Sequence, residues 1–374
     1  MGAAAAAWGS AMTIILHIGF PKTGSSALQY GFERNRDALA RAGIHYAAGP
    51  VSALAAAGGI TSGNGGALAR YLVPRKRPDD YDTGAFEAEF ARTYLDPARP
   101  VGLISSEALS AADPQMLARF VDAVAGSRPV LVVAFVRDLY GHARSAWMQG
   151  IKRHASDRGF AAFAERIDRA PQIAQLRTFE AVLGRERIRL LHYESERNDL
   201  FGALLRAAGL AVPDLDPSLP AINRSLSGVE VEVLRACNAI HRDPALSRRV
   251  SDHLIERYPD RDSAAAVDPA VLALLEARCA EDVAWTNATF FGGGPVLKVA
   301  PAARSGDGAA LLDAADVWRD VVEVLIEEIR AAKLPSARPG GGPRTEASGP
   351  AAPGAATRPP GARLGRLLRS LRGG

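Results

Sequence analysis

One short stretch near the amino end restricts the fold more than any other. Thr13–Ile18 (TIILHI) is apolar and β-branched, the pattern of a buried strand. It runs straight into Gly19-Phe-Pro-Lys-Thr-Gly24, and from Ser25 to Arg41 the spacing turns helical, with Gly43 as the stop. A strand, a glycine-rich turn and a helix in that order aim backbone N–H groups and the positive end of the helix dipole at one point. That is an anion site on an α/β scaffold.

The rest of the chain extends the pattern. Strands are expected at about 44–47, 101–105, 129–136 and 187–192, with helices at about 86–95, 113–125, 142–152, 159–169, 172–183 and 198–208. Pro129–Val136 (PVLVVAFV) is apolar throughout, as a central parallel strand buried on both faces should be. Strands alternating with helices predict an α/β fold, a parallel sheet with crossover helices in three layers like that of P-loop proteins. Beyond Ser227 the pattern is helical only, with a capping box at Ser227-x-x-Glu230 and helices at about 244–257, 268–289 and 313–333. Residues 48–82 read as one long irregular connection, of the kind that serves as a functional loop, a lid or a disordered insert.

Composition bounds the function classes. The chain has 374 residues, 48% hydrophobic and 23% charged, an ordinary globular balance. Its formal charge is +4, but residues 335–374 hold seven arginines and one acid, a net +6, so the other 334 residues carry −2. The basic character belongs to that tail, and no nucleic-acid footprint on the body follows. The domain reading is a leader at 1–12, one domain at 13–334, and a disordered basic tail at 335–374. The tail's last ten or so residues could touch an anionic membrane surface as a short amphipathic helix. No apolar run reaches the roughly 18–20 residues of a membrane span, and the Ala3–Ala7 run lacks the basic flank of a secretory signal. A cytoplasmic location is expected. Cys237 and Cys279 sit in helical patterns and read as buried thiols; two cysteines cannot build a four-cysteine zinc site.

Two motifs carry chemistry. The first is GFPKTGSS. Against the nucleotide-triphosphatase loop G-x-x-x-x-G-K-[ST], Gly19, Gly24 and Ser26 fit, Ser25 stands where the lysine should be, and the lysine has moved forward to Lys22. The cradle is kept, and the group that reaches the β- and γ-phosphates is not. The second is Arg137-Asp138-Leu-Tyr-Gly-His-Ala-Arg-Ser145, which comes after the strongest strand at its carboxyl end, where open parallel sheets bind ligands. An arginine fork and a hydroxyl can meet over one phosphate.

Together these motifs resemble the sulfotransferases that use 3′-phosphoadenosine 5′-phosphosulfate (PAPS). The family's 5′-phosphosulfate loop is similar to Pro21-Lys22-Thr23-Gly24-Ser25-Ser26, and its 3′-phosphate motif to Arg137 and Ser145. Leu190-Leu-His-Tyr193-Glu194 is similar to the family's late strand ending in Tyr-Glu, and the resemblance covers about residues 13 to 240. HIGFPKTGSSALQ and Asn223-Arg-Ser225-Leu-Ser227 bring it nearer to bacterial carbohydrate-type members. The cytosolic group's late G-x-x-G-x-x-K element is not visible. The resemblance implies that Lys22 and the amides of Thr23 to Ser26 hold the 5′-phosphosulfate, that Arg137 and Ser145 hold the 3′-phosphate, and that no metal is needed. The acceptor would be a hydroxyl of a carbohydrate, glycolipid or small molecule. Its base is taken as Glu107, at the end of Ile104-Ser-Ser-Glu107, as in carbohydrate-type members.

Other histidines have narrower roles. His17 reads as a core residue. His142, beside the second motif, could cap or orient the loop. His45 and His192 stand near strand ends as further acceptor-site candidates. Arg75-Lys76-Arg77 is a loop charge run that could gather an anionic glycan. Two other functions fit less well: a nucleotide-dependent kinase on the same scaffold, and a protein that binds 3′-phosphoadenosine 5′-phosphate (PAP) without catalysis.

Overall fold

Among the described residues five strands make one sheet, and every pairing is parallel. The computed structural model describes residues 12–49, 52, 63–214, 216, 225–259, 261, 267–300 and 314–333. The strands are β1 (Thr13–Ile18), β2 (Ile44–His45), β3 (Val101–Ser106), β4 (Val130–Val136) and β5 (Ile188–His192), in the order β2-β3-β1-β4-β5. β1, β3 and β4 are buried along their whole length, which is why β4 reads as a continuous apolar run and β1 and β3 show no polar alternation.

Alternate residues of the strands feed two separate cores. Ile14, Leu16, Ile18, Val132 and Ala134 face one; Ile15, Leu131, Val133 and Phe135 face the other. The second is covered by α1 (Ser25–Arg34), α2 (Arg36–Arg41) and α9 (Leu200–Ala207), through Phe32, Leu39 and Leu204. The first is covered by α3 (Gly66–Leu72), α4 (Thr83–Tyr94), α5 (Pro114–Arg119), α8 (Pro171–Leu183) and α12 (Pro269–Phe290), through Leu68, Phe90, Leu117, Phe179 and Cys279. This is the expected three-layer α/β arrangement. The other α-helices of five residues or more among the described residues are α6 (Leu139–His154), α7 (Phe160–Ala164), α10 (Gly228–His241), α11 (Pro244–Arg257) and α13 (Ala314–Lys333).

The chain divides into two compact units. One spans 1–147, 159–222 and 267–305 and contains the sheet; the other spans 148–158, 223–266 and 306–374. Described residues of the second unit are helical or connecting. Its α10 begins with the expected capping box: Ser227 N donates to Glu230 Oε2 (2.7 Å) and Glu230 N to Ser227 Oγ (3.3 Å). Buried Asn238 then donates to the Ile151 and Ser156 carbonyls and accepts from Ser247 Oγ at 2.6 Å. The leader 1–11, the tail 335–374, and Asn223 and Arg224 lie outside the described residues.

Three expectations needed correction. The helix at 25–41 is broken at Asn35, whose amide bonds Gly31 O and both the N–H and the carbonyl of Asp216, so a distant segment competes for the turn. Residues 48–82 are not wholly irregular: 66–72 is helical, and Asn64 holds the edge of β3 by donating to Leu103 O (3.0 Å) and accepting from Ser105 N (2.9 Å). α6 begins at Leu139 rather than 142, because Leu139 N and Tyr140 N find Lys298 O and Val299 O.

His17 is buried within β1, with Nδ1 2.8 Å from Ser105 Oγ, and burial pushes its pKa down from 6.5 to about 4. Between those values the unfolded chain binds a proton that the folded one refuses. Stability from this group is therefore full above pH 6.5 and is lost as pH falls towards 4, by up to about 3 kcal/mol. The melting temperature should drop across that window. His17→Asn, which keeps a donor or acceptor for Ser105 but cannot titrate, should flatten part of the drop. An acid limb of unchanged slope would assign it to other groups.

Candidate active site

The parallel register brings four strand ends to one edge: Ile18 pairs with Ser106, and Val136 with His192. The segments that leave these strands meet there: the Gly19–Gly24 loop, Glu107, Arg137 and Asp138, and Tyr193 and Glu194.

The loop after β1 is built by close approach. Gly19 N donates to Ser106 O (3.3 Å), and a Cβ on Gly19 would lie 2.5 Å from Ser25 Oγ and 3.1 Å from Glu107 Cγ, so only glycine fits. Lys22 takes a left-handed backbone (φ 68°), uncommon outside glycine, and Gly24 does the same (φ 81°) as the residue before α1. No side chain caps α1, so the first amides of the helix have no partner from that source.

The loop carbonyls are tied off instead. Thr23 Oγ1 donates to Phe20 O (2.7 Å). Ser25 Oγ donates to the same carbonyl at 3.4 Å. Arg137 Nη1 donates to Lys22 O (3.3 Å). Two of the loop's carbonyls are thus held by side chains, one of them by the Arg137–Ser145 motif. The two sequence motifs form one structure.

The predicted residues divide their work accordingly. Thr23 and Ser25 are fully buried, so their side chains build the loop and only their amides can face a ligand. Ser26 is half-buried, and its hydroxyl has no partner among the described residues. Pro21 is exposed at the turn. Lys22 is half-buried and close enough to act electrostatically on both Glu107 and His142.

Glu107 stands beside the loop, its Cγ 3.1 Å from where a Cβ on Gly19 would lie. Its side chain reaches solvent, yet the surrounding protein desolvates the carboxyl enough to raise its pKa, against the lowering effects of Lys22, a hydrogen bond from Ser25, and Lys76. Lys76, from the charge run on the loop, thus belongs to the rim of this site.

Arg137 lies on the other side of the loop. Its Nε donates to Glu194 Oε1 (3.1 Å), and its guanidinium carbon is 5.3 Å from the Tyr193 ring centroid. A Cβ on Gly141 would lie 3.5 Å from Nη2, so the fork runs along the first turn of α6. Ser145, four residues on, is the next position up that face and is half-buried. No hydrogen bond joins Arg137 to Ser145; what they share is one strip of α6.

A buried charge network fixes Arg137 in place. Glu194 Oε2 accepts from Asp138 N (3.3 Å), and His192 Nε2 lies 3.1 Å from Asp138 Oδ1 and 3.2 Å from Glu194 Oε2. Burial disfavours charge on His192, but its hydrogen bonds and charge interactions with Asp138 and Glu194 outweigh it and raise the pKa to about 9. Burial would likewise raise Glu194, but His192, the Asp138 amide and Arg137 bring it below the usual carboxylate value. Gln172 joins α8 to the site by donating to Arg137 O (2.7 Å) and accepting from Arg137 N. Nothing in the sequence marked Gln172, an ordinary residue in a first helical turn.

His192 therefore supports Arg137 rather than facing an acceptor. His45 pairs with Gly102 near the amino end of β3, with Asp96 and Arg99 as neighbours, which puts it away from this edge. Two clusters have metal-ligand spacing: Asp138, His192 and Glu194, and in the second unit His253, Asp320 and Glu323. An arginine already balances each, Arg137 on Glu194 and Arg257 on Asp320 and Glu323, so both read as ion-pair networks.

Two clefts, of about 400 and 540 Å³, open on the surface of the first unit, and neither is lined by the loop. A site made of backbone amides needs no deep cavity, so the chemistry locates it better than volume does. The larger cleft, lined by Arg75, Ser110, Asp113 and Gln175 among others, borders the turn that Glu107 begins.

No family model matches the chain, and no curated protein is a significant match. Among solved structures, the crystal structure of a sulfotransferase from Alicyclobacillus acidocaldarius is similar at 15% identity, covering 74% of this chain and 95% of that one with a TM-score of 0.41. At that score no residue correspondence is drawn. None of the described helices is long and apolar enough to cross a membrane.

Gly19→Ala tests the packing of the loop. It forces Ser25 and Glu107 aside and should cost about 1–3 kcal/mol, as overpacking does. Chemical denaturation would show the loss; wild-type stability would mean that the loop can move away from β3.

Proposed function

We propose that this edge is the active site of a sulfotransferase that moves a sulfuryl group from PAPS to an acceptor hydroxyl. The observation that carries the reading is the tied-off loop: its Phe20 and Lys22 carbonyls are occupied, Lys22 lies near Glu107, and Arg137 with Ser145 comes from the strand on the other side of β1. That layout suits a ligand with two separate anionic groups. A kinase would want a lysine where Ser25 stands, and Ser25 is instead buried and donates to the Phe20 carbonyl.

The donor supplies a sulfuryl group on a phosphate oxygen. Transfer breaks that S–O bond, forms a bond from sulfur to the acceptor oxygen, and leaves the electron pair on the 5′-phosphate. Lys22 and the Thr23–Ser26 amides meet the charge that grows there, so they bind the transition state more tightly than the ground state. Glu107 takes the acceptor proton; burial raises its pKa, which makes it a better base than an ordinary carboxylate. Arg137, oriented beforehand by Glu194, and Ser145 hold the 3′-phosphate. The acceptor approaches from the Glu107 side, where the cleft of about 540 Å³ presents Arg75, Ser110 and Gln175 to a polar, hydroxyl-rich partner such as a glycan or glycolipid.

Calorimetry with PAP and AMP tests the donor. PAP should bind much more tightly, because charge-assisted bonds to the extra phosphate contribute roughly 1.5–3 kcal/mol each. Equal affinities would end the assignment, and tight ATP binding would favour a kinase.

Transfer from labelled PAPS to a panel of glycans and small hydroxyl compounds tests catalysis. Lys22→Ala should lower turnover by about 10²–10³, and Glu107→Gln by about 10²–10⁴ with PAP affinity little changed. In the wild type, the rate should fall as pH drops through the raised Glu107 pKa. PAP binding with no transfer to any acceptor would indicate a binding protein, and normal transfer by Glu107→Gln would place the base elsewhere.

A further inference from the structure

We infer that Asn287, in the last turn of α12, is a positioning residue for Arg137: it clamps the segment Leu297–Val299, and that segment holds Asp138 and the start of α6. The consequence for donor binding rests on the proposed PAPS site; the consequence for the guanidinium does not.

The clamp is a two-way bond. Asn287 Nδ2 donates to Leu297 O and Asn287 Oδ1 accepts from Leu297 N, each at 2.9 Å. The side-chain amide does for Leu297 what a paired strand residue would do, exchanging both bonds with one backbone position. Asn287 and Leu297 are both buried. Gly293 N donates to the Asn287 carbonyl (2.9 Å), and Gly292 and Gly293 make the turn between them with left-handed backbones (φ 65° and 82°).

The clamped segment then lies along residues 138–140. Leu139 N donates to Lys298 O (3.0 Å), Tyr140 N to Val299 O (2.9 Å), and Lys298 N to Asp138 Oδ1 (2.9 Å). Leu139 N and Tyr140 N are amides of the first turn of α6, which the helix itself cannot satisfy. Left open, they would offer a helix-end anion site of their own. Occupied, they leave anion binding at this strand end to the Arg137 side chain.

Asp138 passes the constraint on. It is buried, and the Oδ1 that accepts from Lys298 N also lies 3.1 Å from His192 Nε2. Asp138 N donates to Glu194 Oε2 (3.3 Å), and Glu194 Oε1 accepts from Arg137 Nε (3.1 Å). Without the Lys298 amide, the Asp138 carboxylate is no longer set from two sides. His192 and Glu194, which bond it and Arg137, then lose their fixed reference. A side chain about 150 residues away in sequence thus limits where the guanidinium can point.

Asn287→Ala removes the clamp and leaves every side chain of the site in place. Cys279→Ala, a truncation of a buried residue in the same helix, controls for lost stability alone. Both are compared without ligand, at equal distance below their melting temperatures. Hydrogen exchange at the Leu139, Tyr140 and Lys298 amides and at the Arg137 Nε–H, read by NMR, should be faster in Asn287→Ala than in Cys279→Ala. The ratio of PAP to AMP affinity should fall roughly tenfold in Asn287→Ala, the scale of one weakened charge-assisted bond, and stay near wild type in Cys279→Ala. Asn287→Asp keeps the acceptor for Leu297 N and loses the donor. It should lie between wild type and alanine, and it replaces the alanine variant if that one does not fold. If the Arg137 Nε–H is as protected in the Asn287 variants as in Cys279→Ala, Asn287 does not position Arg137. If that proton responds while wild-type protein binds PAP no better than AMP, the positioning stands and the donor assignment falls.

Discussion

A glycine-rich turn can offer its amides to an anion only if its own carbonyls are bonded elsewhere. Here Thr23 satisfies the Phe20 carbonyl and Arg137 the Lys22 carbonyl. Left unbonded, they would turn towards water or towards the site, and the cradle would lose its sign. The loop after β1 and the loop after β4 are therefore one unit. Much of the remaining geometry serves to deliver Arg137 to that place.

Delivery begins with register. β1 lies between β3 and β4, so the residues after all three meet at one edge without any long connection reaching across. The network behind Arg137 then limits its freedom. Glu194 and the Tyr193 ring set the guanidinium, while Asp138 and a protonated His192 set Glu194. Groups oriented in advance need not reorganise when charge moves, which is the main electrostatic advantage of a folded site over water. One pattern accounts for both clusters with metal-like spacing: carboxylates collect around an arginine, Arg137 in the first and Arg257 in the second.

Much of the fold was legible because it rests on local pattern. Strand boundaries at 13–18, 101–106 and 130–136 track segments dominated by apolar residues, and the capping residues Asp113 and Ser227 bond the amides that their positions imply. The failures were equally physical. Asn35 breaks a helix because Asp216, far along the chain, bonds its side chain. His45 is near the start of the strand pairing rather than its end, which only register reveals. Lys76 reads as a solvated charge until the turn carrying it is seen beside Glu107.

The candidate site divides along the same line. Spacing within GFPKTGSS and from Arg137 to Ser145 is a local property, and it was enough to mark both motifs and the place of Glu107 after a strand. Whether a side chain faces a ligand or the loop's own backbone depends on what lies across from it. Thr23 and Ser25 sit in the motif, but their hydroxyls turn inward to the Phe20 carbonyl. Arg137 has a second duty at Lys22 O, and Gln172 matters only through a partner distant in the chain. The sequence alone determined which residue types stand at each strand end, because chain order dictates it. Tertiary structure decided which of their atoms remain to meet a ligand, because hydrogen-bond capacity is settled by neighbours in space.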